Sequence, residues 1–289
     1  MNIPKNTLTP SFILTDTGKN HREMYRYRIL MIFLGVILSF AAQAQYSPPA
    51  SGLVSWWSGN GNANDSADSN NATLMNGANY APGLFGSSFS FDGIDDHARV
   101  SDNVNLHLTS GLTIGAWVNI PSPSAAHMGI VTKWDLVGGL NQRSFSFALS
   151  PLGQAYLALS PGGFDPPIGL AGTTTNVISL NTWTHLAGTY DGSFIRIFVN
   201  GQLRAQTAYV GGVFPGTDDL GIGGLVGGGS SGSVGSPFAG RIDEAVIYNR
   251  ALSASEILTL ATVPEPSSVA LVLVGSFCLL LVRRLRTCR

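Results

Sequence analysis

The densest group of acidic side chains in this sequence lies in the segment FDGIDDHARV, which begins at Phe91. It places Asp92, Asp95 and Asp96 within five residues of one another. Three carboxylates at this spacing repel one another unless they are solvated or share a cation. Calcium prefers such oxygen ligands, whereas the neighbouring His97 offers nitrogen. The spacing therefore predicts either a calcium site or an exposed acidic turn.

A second oxygen-rich stretch is the polar segment GNGNANDSADSNN, from Gly59 to Asn71. A segment of this composition cannot pack into a core and must lie at the surface. Asp65 lies in it among asparagines, which makes Asp65 a further candidate ligand for calcium. The alternative is that the loop is a solvated connection between strands.

The elements that must position these loops alternate between apolar and polar residues, most clearly from Trp183 to Ala205. Alternation with a period of two is typical of strands with one buried face. Asp191-Gly192 and Asn200-Gly201 interrupt the alternation, and both dipeptides favour tight turns. The stretch is therefore predicted to form three consecutive antiparallel strands.

Similar alternation predicts further strands in 52–57, 89–91, 98–100, 112–120, 129–134, 144–150, 154–160, 220–222 and 238–248. Residues Gly162–Gly172 and the Gly-rich 223–236 are predicted to be loops. A short helix should begin after Ser253, with Glu256 at the capping-box position. Residues 45–262 are thus predicted to form a single all-β antiparallel sandwich of about a dozen strands.

The charge of this region excludes some classes of partner. Residues 45–262 contain 7 Lys and Arg against 14 Asp and Glu, a net charge of −7. Nucleic-acid binding demands a basic surface, so it is not expected. Both cysteines, Cys278 and Cys288, lie outside this region, which excludes a disulfide scaffold.

The N-terminal residues 24–44 have the three parts of a secretory signal peptide. Arg26 and Arg28 precede an apolar run, Ile29–Phe40, and the small residues of Ala42-Gln43-Ala44 form a cleavage site. An uncleaved membrane anchor is the alternative. Residues 1–23 are polar and patternless, and we expect them to be an untranslated or disordered leader, with translation starting at Met24.

The C-terminal residues 263–289 combine three features in order. The first is the tripeptide Pro264, Glu265 and Pro266. The second is an apolar run over 269–282, which is marginal in length for a transmembrane helix. The third is the group of arginines Arg283, Arg284 and Arg286. This order resembles the PEP-CTERM sorting signal of Gram-negative bacteria that make extracellular polysaccharide. The resemblance implies recognition by an exosortase-type membrane protease, removal of the tail, and delivery to the outer surface or matrix. An ordinary C-terminal anchor is the alternative.

Three segments together resemble the laminin-G-like (concanavalin A-like) jelly-roll domains of bacterial surface proteins. They are WTHLAGTYDG from Trp183, FDGIDDHARV from Phe91 and FAGRIDEAVIYNRALSASEI from Phe238. The resemblance spans roughly 51–261 and implies a jelly roll. It also implies that Asp243 lies near a metal site. The alternative is that Asp243 accepts hydrogen bonds from backbone amides across the sandwich.

The same jelly roll houses glucanases, which need two carboxylates flanking the scissile bond. Residues 45–262 contain only two glutamates, and Glu256 is already assigned to helix capping. Glu244 directly follows Asp243, so the two should face opposite sides of a strand. The sequence has no G-x-S-x-G nucleophile motif, and His185 is expected to be a packed residue. We therefore expect a binding protein and not an enzyme.

Two kinds of partner fit a non-catalytic domain with these ends. The first is extracellular polysaccharide, with the aromatic residues Trp134, Phe164 and Tyr209 stacking on sugar faces and loop Asp and Asn residues bonding hydroxyls. The alternative is an adhesive or structural role, with another surface protein as the partner. The predicted export to a polysaccharide matrix favours the first.

Overall fold

The computed structural model describes residues 46–134, 141–164, 168–226 and 234–263. These residues form 15 β-strands, a 3-10 turn at Val104–Leu106 and one helix, α1. The strands are β1 (Leu53–Trp57), β2 (Ala72–Met75), β3 (Asn79–Pro82), β4 (Ser87–Asp92), β5 (His97–Val100), β6 (Leu112–Asn119), β7 (Met128–Lys133), β8 (Arg143–Leu149), β9 (Ala155–Gly163), β10 (Gly169–Gly172), β11 (Thr184–Tyr190), β12 (Phe194–Val199), β13 (Gln202–Ala208), β14 (Leu220–Ile222) and β15 (Ala239–Tyr248), and the helix α1 is Ala254–Leu260.

The strands form two antiparallel sheets, which confirms the predicted all-β sandwich. The larger sheet has eight strands in the order β13-β12-β11-β6-β15-β4-β3, with β1 also paired to β15. The smaller sheet has seven strands in the order β10-β9-β8-β7-β14-β5-β2. Alternate side chains of both sheets, among them Ile114, Phe145, Phe147 and Ile197, are fully buried in the main hydrophobic core.

The predicted three-strand stretch is confirmed as β11, β12 and β13. Asn200 and Gly201, which join β12 to β13, have φ angles of 49° and 78°. A tight hairpin turn with positive φ at both central residues matches the twist of the flanking strands, and Asn-Gly is the pair that tolerates it best.

A β-bulge interrupts β15 between Asp243 and Val246. Glu244 lies in the bulge with a φ of 52°. The first half of β15 pairs with β4 and the second half with β1. The expectation that Asp243 and Glu244 face opposite sides of a regular strand is therefore wrong, because a bulge breaks the alternation.

A second hydrophobic cluster covers the outer face of the larger sheet. It includes Trp117, Phe198 and Tyr248, and Tyr46 and Phe85 pack against it from outside the strands. Helix α1 contributes Ile257 and Leu260. The indole Nε1 of Trp117 donates to the backbone oxygen of Leu260 at 3.2 Å, so the end of the helix covers this tryptophan.

The predicted loop Gly162–Gly172 is wrong at both ends. Strand β9 continues to Gly163, which pairs with Arg143, and β10 pairs with the middle of β9. Backbone pairing with these neighbours outweighs the weak strand preference of glycine. In the Gly-rich segment, Leu225 and Gly235 form an isolated bridge.

Within the ranges that the structure describes, no helix is long and apolar enough to cross a membrane. The predicted signal peptide, the apolar C-terminal run and the sorting-signal residues Pro264, Glu265, Pro266, Arg283 and Arg284 lie outside those ranges.

Candidate functional site

The outer face of the smaller sheet carries a groove of about 560 Å³. Small side chains at outward-facing positions form its floor. Ser146 on β8 pairs with Ala158 on β9, and Gly172 on β10 pairs with Tyr156. Because these neighbours of Tyr156 are small, the sheet leaves open space beside the tyrosine ring.

One wall of the groove comes from the Gly-rich segment that follows β14. Leu225 and Ser236 line the groove. The segment is fixed to β7, because Thr132 Oγ1 donates to the Gly224 oxygen at 2.7 Å and the Gly129 amide donates to the Ser236 oxygen at 2.8 Å. The described part of this segment is therefore a built wall and not a free loop.

Tyr156 and His127 form an aromatic corner in the groove. Their ring centroids are 5.6 Å apart and their planes meet at 84°. His127 Nδ1 lies 3.1 Å from the Tyr156 hydroxyl, which also bonds Ser146. Burial raises the pKa of Tyr156, and the bond from Ser146 opposes that rise. The tyrosine ring is thus held in place while His127 is exposed.

The chemistry of the lining suits a neutral ligand rich in hydroxyl groups. Ser150, Gln154 and Thr173 add uncharged polar side chains to the lining of the groove, and Leu170 adds an apolar one. Among the described lining residues, none is acidic and none is a lysine or an arginine. Aromatic rings with a few convergent polar groups are typical of ligand sites.

The structure brings one of the three predicted aromatic residues to this groove. Trp134 lines it, but only 8% of its surface is exposed, and the Arg143 guanidinium lies 5.6 Å from its ring centroid. Phe164 is 46% exposed and does not line the groove. The Tyr209 ring packs on Tyr190, at 5.5 Å between centroids, and its hydroxyl donates to the Gly212 oxygen.

The sequence reasoning missed Tyr156 and His127. A signal for Tyr156 was available, because it lies on the face of its strand opposite to the buried Leu157 and Leu159. An aromatic side chain on the outward face among small residues is a candidate platform. His127 lies in an irregular segment, and no pattern in the sequence places it beside β9.

The structure gathers Asp92, Asp95 and Asp96, as the spacing predicts. One carboxylate oxygen from each lies within 4.8 Å of the others. Asp96 is buried, and burial raises its pKa, opposed by a hydrogen bond from the Asp92 amide. The charges of Asp92 and Asp95 raise that pKa further. We call these residues the acidic triad; their oxygen donors fit calcium chemistry.

Asp65 is not part of this triad, because its carboxylate organises its own loop. Its Oδ1 accepts from the Trp56 amide at 2.8 Å and the Ala67 amide at 2.9 Å, and its Oδ2 accepts from the Asn70 amide at 3.3 Å. Such bonds hold the loop against β1.

Asp243 lies apart from the triad, in the second hydrophobic cluster. Its Oδ2 accepts from the amides of Leu84 at 2.8 Å and Phe85 at 3.1 Å, as the alternative reading of the sequence expects. Its Oδ1 is buried and has no partner among the described residues. The neighbouring Glu244 accepts from the Trp56 indole. Burial raises the pKa of Asp243 to about 7 and that of Glu244 to about 8.

Comparison with known families identifies the domain. The laminin-G family model described as the concanavalin A-like lectin/glucanases superfamily matches residues 92–258, more than half of the chain. A comparison with curated protein sequences finds no significant match.

Solved structures show the same fold at low sequence identity. One is domain 4 of AbnA, a GH43 extracellular arabinanase from Geobacillus stearothermophilus, which was solved in complex with arabinotriose. It is 21% identical with a TM-score of 0.55, and the match covers 73% of this chain and 98% of that domain. The binding domain of Paraclostridial Mosquitocidal Protein 1 is 17% identical with a TM-score of 0.58, covering 73% and 52%.

The botulinum neurotoxin serotype D ligand-binding domain, solved with N-acetylneuraminic acid, is 14% identical with a TM-score of 0.54, covering 73% of this chain and 51% of that one. The chain thus spans about half the length of the two toxin domains. The match to the family model and the observed sandwich agree: the chain belongs to the concanavalin A-like lectin/glucanases superfamily.

Proposed function

We propose that this protein is a non-catalytic carbohydrate-binding protein and that the groove on the smaller sheet is its binding site. The observation that carries the proposal is the aromatic corner of Tyr156 and His127 above a floor of small residues. A sugar ring has an apolar face that stacks on an aromatic ring and hydroxyls that need hydrogen-bond partners. The groove offers both.

Two of the similar structures support this reading, since one was solved with arabinotriose and the other with N-acetylneuraminic acid.

The two ends of the sequence support the choice of polysaccharide as the ligand. Export through the predicted signal peptide and sorting through the predicted PEP-CTERM tail would deliver the domain to the cell surface or matrix. There, extracellular polysaccharide is the abundant ligand.

The positions of the glutamates support a binding role without catalysis. Glu244 is 1% exposed, so no substrate reaches it. Glu256 bonds Arg250 and the Ser253 amide, which together lower its pKa to about 2. Neither is available as a proton donor to a glycosidic bond at neutral pH.

We further propose that the acidic triad binds a structural calcium ion. The three carboxylates converge on the turn between β4 and β5, where an ion would relieve their mutual repulsion. Asp65 and Asp243 lie outside this group of three carboxylates, which makes them poorer candidates.

A polysaccharide-binding screen of the full-length protein with Tyr156→Ala tests the proposed site. We expect the wild-type protein to bind at least one glycan and the variant to lose at least tenfold in affinity, because truncating an aromatic anchor removes most of its contact area. Tyr156→Phe keeps the ring and should bind within a few-fold of wild type. Phe164→Ala is the matched control, an exposed aromatic outside the groove.

If the Tyr156→Ala variant binds the glycan with unchanged affinity, the groove is not the binding site. Absence of binding to any glycan, in calcium and in chelator, would reject the function and favour the alternative, an adhesive protein with a protein partner.

A further inference from the structure

Strand β13 lies at one end of the larger sheet and, among the described residues, pairs on one side only, with β12. It has seven residues, whereas β2, β3 and β10, which lie at the other ends of the two sheets, have four each. All its side chains are exposed except that of Ala205, which is half-buried. An edge strand of this length, open on both faces, presents backbone groups that can pair with a further strand.

The backbone groups that point to the free edge belong to Gln206 and Ala208. The Tyr209 amide donates to the Ser193 oxygen at 2.8 Å, so Tyr209 directs its backbone polar groups toward β12. Hydrogen-bonded and non-hydrogen-bonded residues alternate along an antiparallel pair. Ala208 and Gln206 therefore direct their amides and carbonyls away from β12, where a further strand can bond them.

The devices that usually protect a sheet edge are few in β13. Proline, lysine and β-bulges are the common ones. The strand contains neither proline nor lysine, and its one charged side chain is Arg204. A bulge lies at Arg204, between Leu203 and Ala205. From Ala205 to Ala208 the register with β12 is regular, so the strand is regular where its backbone faces the free edge.

We propose that β13 pairs antiparallel with β13 of a second copy of this chain, with the two-fold axis at Thr207. Gln206 then lies opposite Ala208 of the partner subunit, and the two exchange backbone hydrogen bonds on each side of the axis. Thr207 lies opposite Thr207 of the partner subunit, a favourable cross-strand pair. Arg204 of each copy lies three residues from the axis on opposite sides, so no like charges meet.

The neighbouring registers are less favourable. An axis at Gln206 would place Ala208 opposite the bulge at Arg204 of the partner subunit. An axis at Ala208 would place Gln206 opposite Val210 of the partner subunit, beyond the end of the strand. The axis at Thr207 is the one that uses both outward-facing residues of each copy.

Exposed apolar side chains at the two ends of β13 fit the same pairing. Leu203 is 51% exposed, and Val210, two residues beyond the strand, is 84% exposed. Leu258 of α1 is 48% exposed and lies beside Gly201, at the start of the strand. Antiparallel pairing brings the start of one strand beside the end of the other, so Val210 of the partner subunit comes next to Leu203. Exposed apolar side chains concentrated at one place mark an interaction site.

Analytical ultracentrifugation of the full-length protein over about 1–100 µM tests the dimer. We expect the wild-type protein to dimerise as its concentration rises. Ala208→Pro removes an amide that β12 does not use, so the strand should still form, but the dissociation constant of the dimer should rise at least tenfold. Ala208→Ser keeps the amide and is the matched control. A wild-type monomer at every concentration, or a dimer that Ala208→Pro does not weaken, would overturn the proposal.

A disulfide bond tests the register without weakening the interface. A non-hydrogen-bonded pair brings its Cα atoms to about 4.5 Å, a separation that a disulfide can span. Thr207→Cys should therefore link two copies under mild oxidation, and peptide mapping separates this link from bonds to Cys278 and Cys288. Gln206→Cys is the matched control, because Gln206 lies opposite Ala208 of the partner subunit and not opposite itself. A failure of Thr207→Cys to link the copies would overturn the axis.

The dimer has a consequence for ligand binding, and this consequence alone rests on the proposed function. The axis of an antiparallel pair is perpendicular to the sheet, so both smaller sheets lie on the same side and both grooves open in one direction. Ala208→Pro should therefore bind a long polysaccharide at least tenfold more weakly than Ala208→Ser, and a short oligosaccharide equally well. If neither variant nor the wild type binds a glycan, the proposed function fails, and the ultracentrifugation result still decides the dimer.

Discussion

Asp243 and Glu244 are adjacent carboxylic acids with almost no exposure to solvent. Their pKa values of about 7 and about 8 lie above the ordinary values of 3.8 and 4.5 because burial disfavours the charged form. The folded protein therefore holds protons that the unfolded chain releases. The contribution of this pair to stability is full at acidic pH and is lost as pH rises through the folded-state values.

The free energy of unfolding in chelator should fall by about 2–3 kcal/mol between pH 6.5 and 8.5, at about 1.4 kcal/mol per unit for each proton retained. This pH window avoids the contribution of His185. Burial lowers the pKa of His185 to about 3, so its effect on stability has the opposite sign and ends near its ordinary pKa of 6.5. Urea unfolding across the window measures the change. Asp243→Asn should show a shallower fall, and a stability that rises with pH would contradict the prediction.

At the scale of residues, sequence and structure agree where spacing alone decides proximity. Asp92, Asp95 and Asp96 are neighbours in a turn, so their convergence follows from the sequence. Tyr156 and His127 meet only because β9 lies beside the segment that precedes β7. Contacts of that kind depend on sheet order, which a single sequence does not determine.

Helix α1 is the element that closes the second hydrophobic cluster. Its first turn has the predicted capping box, in which Ser253 Oγ accepts from the Glu256 amide and the Glu256 carboxylate accepts from the Ser253 amide. Its buried face supplies Ile257 and Leu260. The helix has seven residues, too few to be stable alone, so its cap and its packing must act together.

Replacing Ser253 with Ala should destabilise the protein by about 1 kcal/mol, because the Glu256 amide loses its acceptor. Chemical denaturation of both proteins measures the difference. Thr259→Ala is the control, since Thr259 is exposed in the last turn of the same helix and outside the cap. Equal losses of stability from both substitutions would show that the cap contributes no more than another exposed position on the helix.

At the scale of elements, strands with clear alternation and signalled turns were predictable, as β11, β12 and β13 show. The bulge in β15 was not, because Glu244 adopts a positive φ that its residue type disfavours. Strand β10 was also missed, since its four residues are recognisable only beside β9.

The whole molecule carries different chemistry on its two outer faces. The smaller sheet presents the groove, whereas much of the larger sheet is covered by a second core. The acidic triad lies at the turn between β4, in the larger sheet, and β5, in the smaller one. An ion bound there would join the two sheets at a loop and stabilise the sandwich as a unit.

Calcium at 10 mM should therefore raise the unfolding temperature by about 3–5 °C over chelator, given a dissociation constant near 1 mM, which is common in extracellular modules. Differential scanning calorimetry measures the shift. Asp95→Asn should abolish it, whereas Asp68→Asn, in the loop before β2, should preserve it. A shift that survives Asp95→Asn would place the ion elsewhere.

The burial of Tyr46 bears on the predicted removal of the signal peptide. Tyr46 is 4% exposed, and its ring lies 5.0 Å from that of Phe85. The predicted cleavage after Ala44 falls only two residues before this anchored ring. A protease needs several residues of extended chain on both sides of the bond that it cuts. If the predicted cleavage occurs, signal removal would have to precede the docking of Tyr46, because a chain that folds first would shield its own cleavage site.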